Sequence, residues 1–463
     1  MPTGLQLLQY FRNMVEKSWI ITGLERSWKP PGCKITATLN TCTINRIFSM
    51  RNLIIHTVLL AIIFLVPLSV MYAQVVVSPE GPLTSISEAV KIAEPGDTIE
   101  VHSGIYLESD ILIDKKLTLT GIDNPVIDGN GEGFILIIRA DSVTVSGFRL
   151  QKTGRSYIRD YAAILIERSA GVVIEDNLID DVFFGIYLAE TEGGLIRNNT
   201  VRSYDRREAS SGNGIHLWNV KNPIITANTV SGMRDGIYLE FVENARISNN
   251  ISSENNRYGL HYMFSDGGRY DNNTFRKNGA GVAVMYSDNV DMTNNLFENN
   301  WGGSAYGLLL KDIRNSRIEY NRFYRNTVAI YSEGTTNVEI WRNHIELNGW
   351  AVNIKSNSSR NRFTENNFIE NSFDVRTDSP RNNNFFDGNY WSAYEGYDLN
   401  RDGTGDVPYR PVSLFSIIIE RQPESIILMR SMFIRLLDQA ERILPVLTPK
   451  TLFDENPKMQ RIQ

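Results

Sequence analysis

Cysteine is almost missing from this chain. Its 463 residues contain two, Cys33 and Cys42, and both precede the first long apolar run. Beyond that run no disulfide and no thiolate metal site can form. Positive charge is also in deficit. After Ala73 there are 40 Lys plus Arg against 51 Asp plus Glu, a formal net charge of −11, since seven basic and two acidic residues lie earlier. Such a chain is a poor nucleic-acid binder. There is no nucleophile elbow and no phosphate loop. The acidic pair Asp180-Asp181 has no Gly-His-Gly beside it. Neighbouring strand residues face opposite ways, so that pair would serve poorly as a glycosidase dyad.

What the chain has is a repeat. Between about residues 163 and 355 a five-residue anchor recurs at Ala163, Gly185, Gly214, Gly236, Gly259, Gly281, Gly307, Ala329 and Ala351. An Asn before an apolar pair follows each anchor, at Asn177, Asn199, Asn228, Asn250, Asn273, Asn295, Asn321, Asn343 and Asn366. Short alternating segments with Gly and Asn at constant offsets are strands and corners. A coil of roughly 22 residues cannot bury its own apolar face and must stack on its neighbours. The expected fold is an all-β, right-handed parallel β-helix over residues 97 to about 390, with Ile/Val/Leu ladders inside and an asparagine ladder in one corner. The L-x-x-L-x-L of a leucine-rich repeat is absent.

The flanks divide the rest. Arg51, the apolar run Leu53–Val70 and the small residue Ala73 describe a secretory signal over 50–73. Residues 1–49 show no period and are expected to be an upstream extension, with Met50 the true start. The β-helix domain is assigned to 74–411. Thr84–Ala93 reads as a short amphipathic helix capping its first coil, and His102 as structural. From residue 412 to 463 the spacing turns helical and strongly apolar, with Arg430, Arg435, Glu441 and Arg442 interspersed. That tail is expected to dock on a partner.

The anchors are spaced 22, 29, 22, 23, 22, 26, 22 and 22 residues apart. The long intervals place insertions at 204–212 and 301–306, and a third at 153–161 precedes Ala163. All three emerge at the same corner and lean over one sheet, as binding-face loops of repeat proteins do. In each anchor the third and fifth residues should face outward beneath them. His216 and His261 fall in the third column; Met263 and Met285 fall in the fifth, on adjacent coils about 4.8 Å apart. Thioether plus imidazole suits Cu(I) rather than Mg²⁺, Ca²⁺ or Mn²⁺, so these four residues are the candidate metal ligands. Tyr262 would point inward where other coils carry aliphatic residues, a threat to this register. A second candidate is calcium at Asp398, Asn400, Asp402 and Asp406, which resemble the first half of a calcium loop. The bidentate Glu of such a loop is replaced by Tyr409.

Three segments carry a family resemblance: P-G-D-T-I-E-V-H-S-G-I-Y (95–106), R-Y-G-L-H-Y-M-F-S (257–265) and G-N-Y-W-S-A-Y-E-G-Y-D-L-N-R-D-G-T-G-D-V-P-Y (388–409). Together with the helical tail they make residues 74–463 resemble the NosD family. The resemblance implies a periplasmic accessory protein, not an enzyme. It implies work with an ABC transporter made of the permease NosY and the ATPase NosF, receipt of copper from the chaperone NosL, and metallation of nitrous oxide reductase, NosZ. A carbohydrate-active or carbohydrate-binding β-helix is the alternative.

Overall fold

The computed structural model describes residues 74–205, 207–378, 383–429, 431–443 and 452–463. The segments read as extension and signal, with both cysteines, lie outside these residues.

The repeat builds a parallel β-solenoid. Among the described residues three sheets of 14, 13 and 12 strands run its length, and every strand pairs in parallel with its counterpart one coil away. Apolar residues stack by position: Ile186, Ile215, Ile237, Leu260 and Val282 are in register and fully buried. Tyr262 belongs to the same core, aligned with Leu239 and Val284. Its ring fits because Gly268 stands opposite, where a Cβ would lie 1.9 Å from the hydroxyl. The register therefore holds through the coil of His261 without a bulge.

The asparagine corner is a short chemical device. One residue turns left-handed, as at Asp176, Asn198, Ala227 and Asn249 (φ 53–57°). The next is the ladder Asn. Its side-chain amide donates to the Asn one coil on: Asn199 to Asn228 at 3.1 Å, Asn250 to Asn273 at 3.0 Å, Asn343 to Asn366 at 3.0 Å. The same amide donates to carbonyls of the turn, such as Ile225 and Ser248 from Asn250. The ladder runs on to Asn389, whose amide donates to the carboxylate of Asp454 at 2.9 Å. A second row, Asn300, Asn326, Asn348 and Asn371, lines the corner that leads into the 12-stranded sheet.

Both ends are closed. Helix α1 (Ile86–Ile92) buries Ile86, Ala89 and Val90. Its first turn is capped by Ser85 and by the Glu108 carboxylate, which accepts from the N–H groups of Ile86 (2.7 Å) and Ser87 (2.8 Å). At the other end α2 (Leu414–Arg421) and α3 (Met432–Ile443) set Phe415, Ile419 and Ile434 against Val328 and Trp350 of the 12-stranded sheet. Beyond α3 the chain returns to the last coil, which the apolar reading of the tail did not anticipate. Asp454 is fully buried there and also accepts from the N–H groups of Gly388 and Asn389 and from Trp391 Nε1.

Candidate functional site

All three insertions enter the 12-stranded sheet from the same corner, and the outer face beneath them carries the predicted columns. Strand register places Leu165, Tyr187, His216, Tyr238, His261 and Ala283 in one line, and Trp218, Glu240, Met263, Met285 and Lys311 in the next. Met263 and Met285 are direct neighbours and partly exposed. His261 shares the strand and face of Met263. His216 lies two coils from His261 and three from Met285, with Tyr238 between the two imidazoles.

The histidines face away from the core yet are buried. Tyr187 stacks on the His216 ring (4.4 Å, 16°), and Tyr238 meets both imidazoles edge-on, at 4.7 Å and 4.8 Å. The Tyr238 hydroxyl lies 3.9 Å from Met263 Sδ. Insertions complete the cover. Arg155 joins the first to the second through Asp205 (3.7 Å), and Asn256 holds the second by donating to Asp205 O and Ser211 Oγ. Burial pushes the Tyr187 phenol up to about 12 and drives His216 down to about 3, with Asp235 opposing the latter. His216 is therefore neutral at pH 7.

His261 has a different environment. Its Nδ1 lies 3.2 Å from Oδ2 of Asp235, a fully buried carboxylate. Arg257 grips both oxygens of that carboxylate, Nε to Oδ1 at 2.8 Å and Nη2 to Oδ2. Burial alone would raise the Asp235 carboxyl; Arg257, then His261, outweigh it and hold it below the ordinary range. The Nε2 atoms of both histidines are buried without a hydrogen-bond partner. A buried polar atom without a partner is costly and calls for an explanation. An imidazole nitrogen and two thioethers make a donor set suited to a soft ion. Among the described residues no three His, Cys, Asp or Glu side chains converge as a metal cluster, so any such set here draws on methionine.

The sequence reading missed Asp235 and Arg257. The residue before each anchor is mostly apolar or aromatic, as at Phe184, Tyr258, Ala280 and Trp350, and Asn213 and Asp235 break that column. Those exceptions were the available signal. The other acidic candidates point elsewhere. Asp180 is held by Arg149, Arg202 and Tyr204. In the 398–406 turn, Asp398 accepts from the N–H groups of Arg401 and Gly403, Asp402 from Thr404, and Asp406 from Leu399. Asn400 accepts from Asp402 N. These side chains fasten their own loop, and Met459 N donates to Gly403 O to tie it to the closing segment.

Residues 202–396 match the family model described as "Periplasmic copper-binding protein (NosD)". The chain is 32% identical over 422 residues to the "Probable ABC transporter binding protein NosD" of Pseudomonas aeruginosa, covering 83% of this chain and 96% of that relative. The chain belongs to the NosD family. A second NosD, from Stutzerimonas stutzeri, is 28% identical over 383 residues, 76% of this chain and 85% of that one. Outside NosD, the surface adhesin PfbA of Streptococcus pneumoniae aligns with a TM-score of 0.49 at 13% identity, over 66% of this chain and 86% of PfbA. The mannuronan C-5 epimerase AlgE6 A-module of Azotobacter vinelandii gives 0.45 at 13%, over 66% and 89%.

Proposed function

We propose that this NosD is the periplasmic copper-handling partner of an ABC transporter, NosY and NosF, and acts in maturation of nitrous oxide reductase. Copper is its cargo, received from the chaperone NosL and passed toward NosZ. Cu(I) is taken at His261, Met263 and Met285, with His216 a further imidazole two coils along the same column. The observation that carries this reading is the register pairing of Met263 with Met285 on the strand face that also carries His261, whose Nε2 is buried and unpartnered. Two thioethers and an imidazole suit a transient Cu(I) site. Calcium at Asp398, Asn400, Asp402 and Asp406 is a secondary expectation, to be tested by calcium titration of the metal-free protein.

A Cu(I) competition titration tests the cargo site. The triple variant His261→Ala, Met263→Leu, Met285→Leu should lose at least tenfold in affinity; undiminished binding would sink the assignment. The partner surface is the tail. Ile427 is 87% exposed, Met432 76% and Phe433 58%, while the opposite residues Phe415 and Ile419 are packed on the solenoid. An apolar patch of this kind marks an interaction site, and the extracytoplasmic side of the permease is its proposed occupant. Ile427→Glu with Phe433→Glu should abolish co-purification with the transporter. Substitution is preferable to truncation, because residues 452–463 close the last coil.

A further inference from the structure

The two buried histidines differ in what meets Nδ1, and that difference assigns a role to residues outside the ligand set. For His216 the neighbour is the Asn213 amide at 3.4 Å. It is the amide nitrogen that faces Nδ1, and it can only donate, so Nδ1 accepts and the proton sits on Nε2. For His261 the neighbour is the Asp235 carboxylate at 3.2 Å. An ionised carboxylate only accepts. Arg257 Nη2 also lies 3.3 Å from Nδ1; it carries two N–H groups, one given to Asp235, and the second is the competing donor that would place the imidazole proton on Nε2 instead. Tyr258 N donates to Asp235 Oδ1 at 3.2 Å, so the carboxylate is fixed from three sides and cannot swing away.

We propose that Asp235, clamped by Arg257, is a positioning residue that holds His261 as the Nδ1–H tautomer and thereby presents the Nε2 lone pair to Cu(I). This rests on the reading of His261 as a copper ligand. The physical logic is general: a carboxylate on the far nitrogen fixes the ring's orientation and raises its basicity as a ligand. The unpartnered, buried Nε2 is what such an arrangement leaves.

The test has two readouts. In metal-free protein with ¹⁵N-labelled histidine, the His261 signals, assigned by their loss in His261→Gln, should show Nδ1 protonated and Nε2 of pyridine type at pH 7. A proton on Nε2, or on both nitrogens, overturns the proposal. The second readout is Cu(I) affinity. Asp235→Asn should lower it by about tenfold and mix the tautomers. Because that variant leaves Arg257 buried beside a neutral amide, the double variant Asp235→Asn, Arg257→Gln is measured beside it, with circular dichroism as the check on folding. Unchanged affinity in a folded double variant overturns the proposal. The tautomer is read without metal. A wild-type protein with Nδ1–H and no Cu(I) binding would therefore uphold the positioning role and overturn the copper reading alone.

Discussion

Two polar columns run along the same coils, and they follow opposite rules. In the asparagine corner, ladder amides such as Asn250 and Asn343 donate along the row and to the turn, and the last rung closes on a carboxylate. On the outer face of the 12-stranded sheet, His216 and His261 are also buried but keep a nitrogen without a partner. Satisfied polar networks hold one structure in place, whereas a local breach of that rule marks where a molecule does something else. The comparison teaches that burial alone separates nothing here. What sets the two columns apart is that the ladder amides are matched within the chain and the imidazole Nε2 atoms are not.

The largest expected effect lies in the scaffold column. Asn273→Leu strips the acceptor from both the backbone N–H and the side-chain amide of Asn250. It should cost about 3 kcal/mol in urea unfolding; a loss under about 1 kcal/mol would break the comparison. Next comes pH. His216 is held near 3 by burial, against an ordinary value of 6.5. The unfolded chain therefore takes up a proton that the folded chain refuses as pH falls below about 6.5. Stability should decline from there toward pH 3, by about 1.4 kcal/mol per unit, and His216→Phe should flatten that slope. At neutral pH the same variant has a smaller effect of opposite sign to the ladder change. Phe keeps the stack on Tyr187 and removes an unmatched nitrogen, so thermal unfolding should show a gain of about 1 kcal/mol. A loss as large as that of Asn273→Leu would mean His216 is scaffold after all. The smallest effect is expected at the tail, where Ile427→Glu should change the stability of the isolated protein by less than about 0.5 kcal/mol.

Much of the scaffold was legible because one spacing repeats with the chemistry of a strand and a corner. The anchors predicted the columns residue by residue, and Met263 opposite Met285 followed from counting alone. The insertions were legible as breaks in the same count. The rest depends on partners that no period announces. Asp454 meets Asn389 across 65 residues, and in the sequence it is one acidic residue in a short C-terminal stretch. The Asp235–Arg257 clamp needed the column before the anchors to be read as closely as the columns after them. In the 398–406 turn the spacing of oxygen ligands was real, but the same spacing serves a loop that bonds to its own backbone.

The position of Asp454 gives the molecule a sense of completion. Coils that touch only their neighbours can stack in the order in which they are made. Helix α1 shuts the first end early. The far end is answered late, because the carboxylate that receives the last asparagine and the Trp391 indole lies 65 residues beyond that asparagine. A chain clipped before that point keeps raw strand edges and unanswered donors, which are sticky and easily attacked. The amide row thus works as a measuring line, and the buried Asp454 carboxyl group is where its last donors are answered.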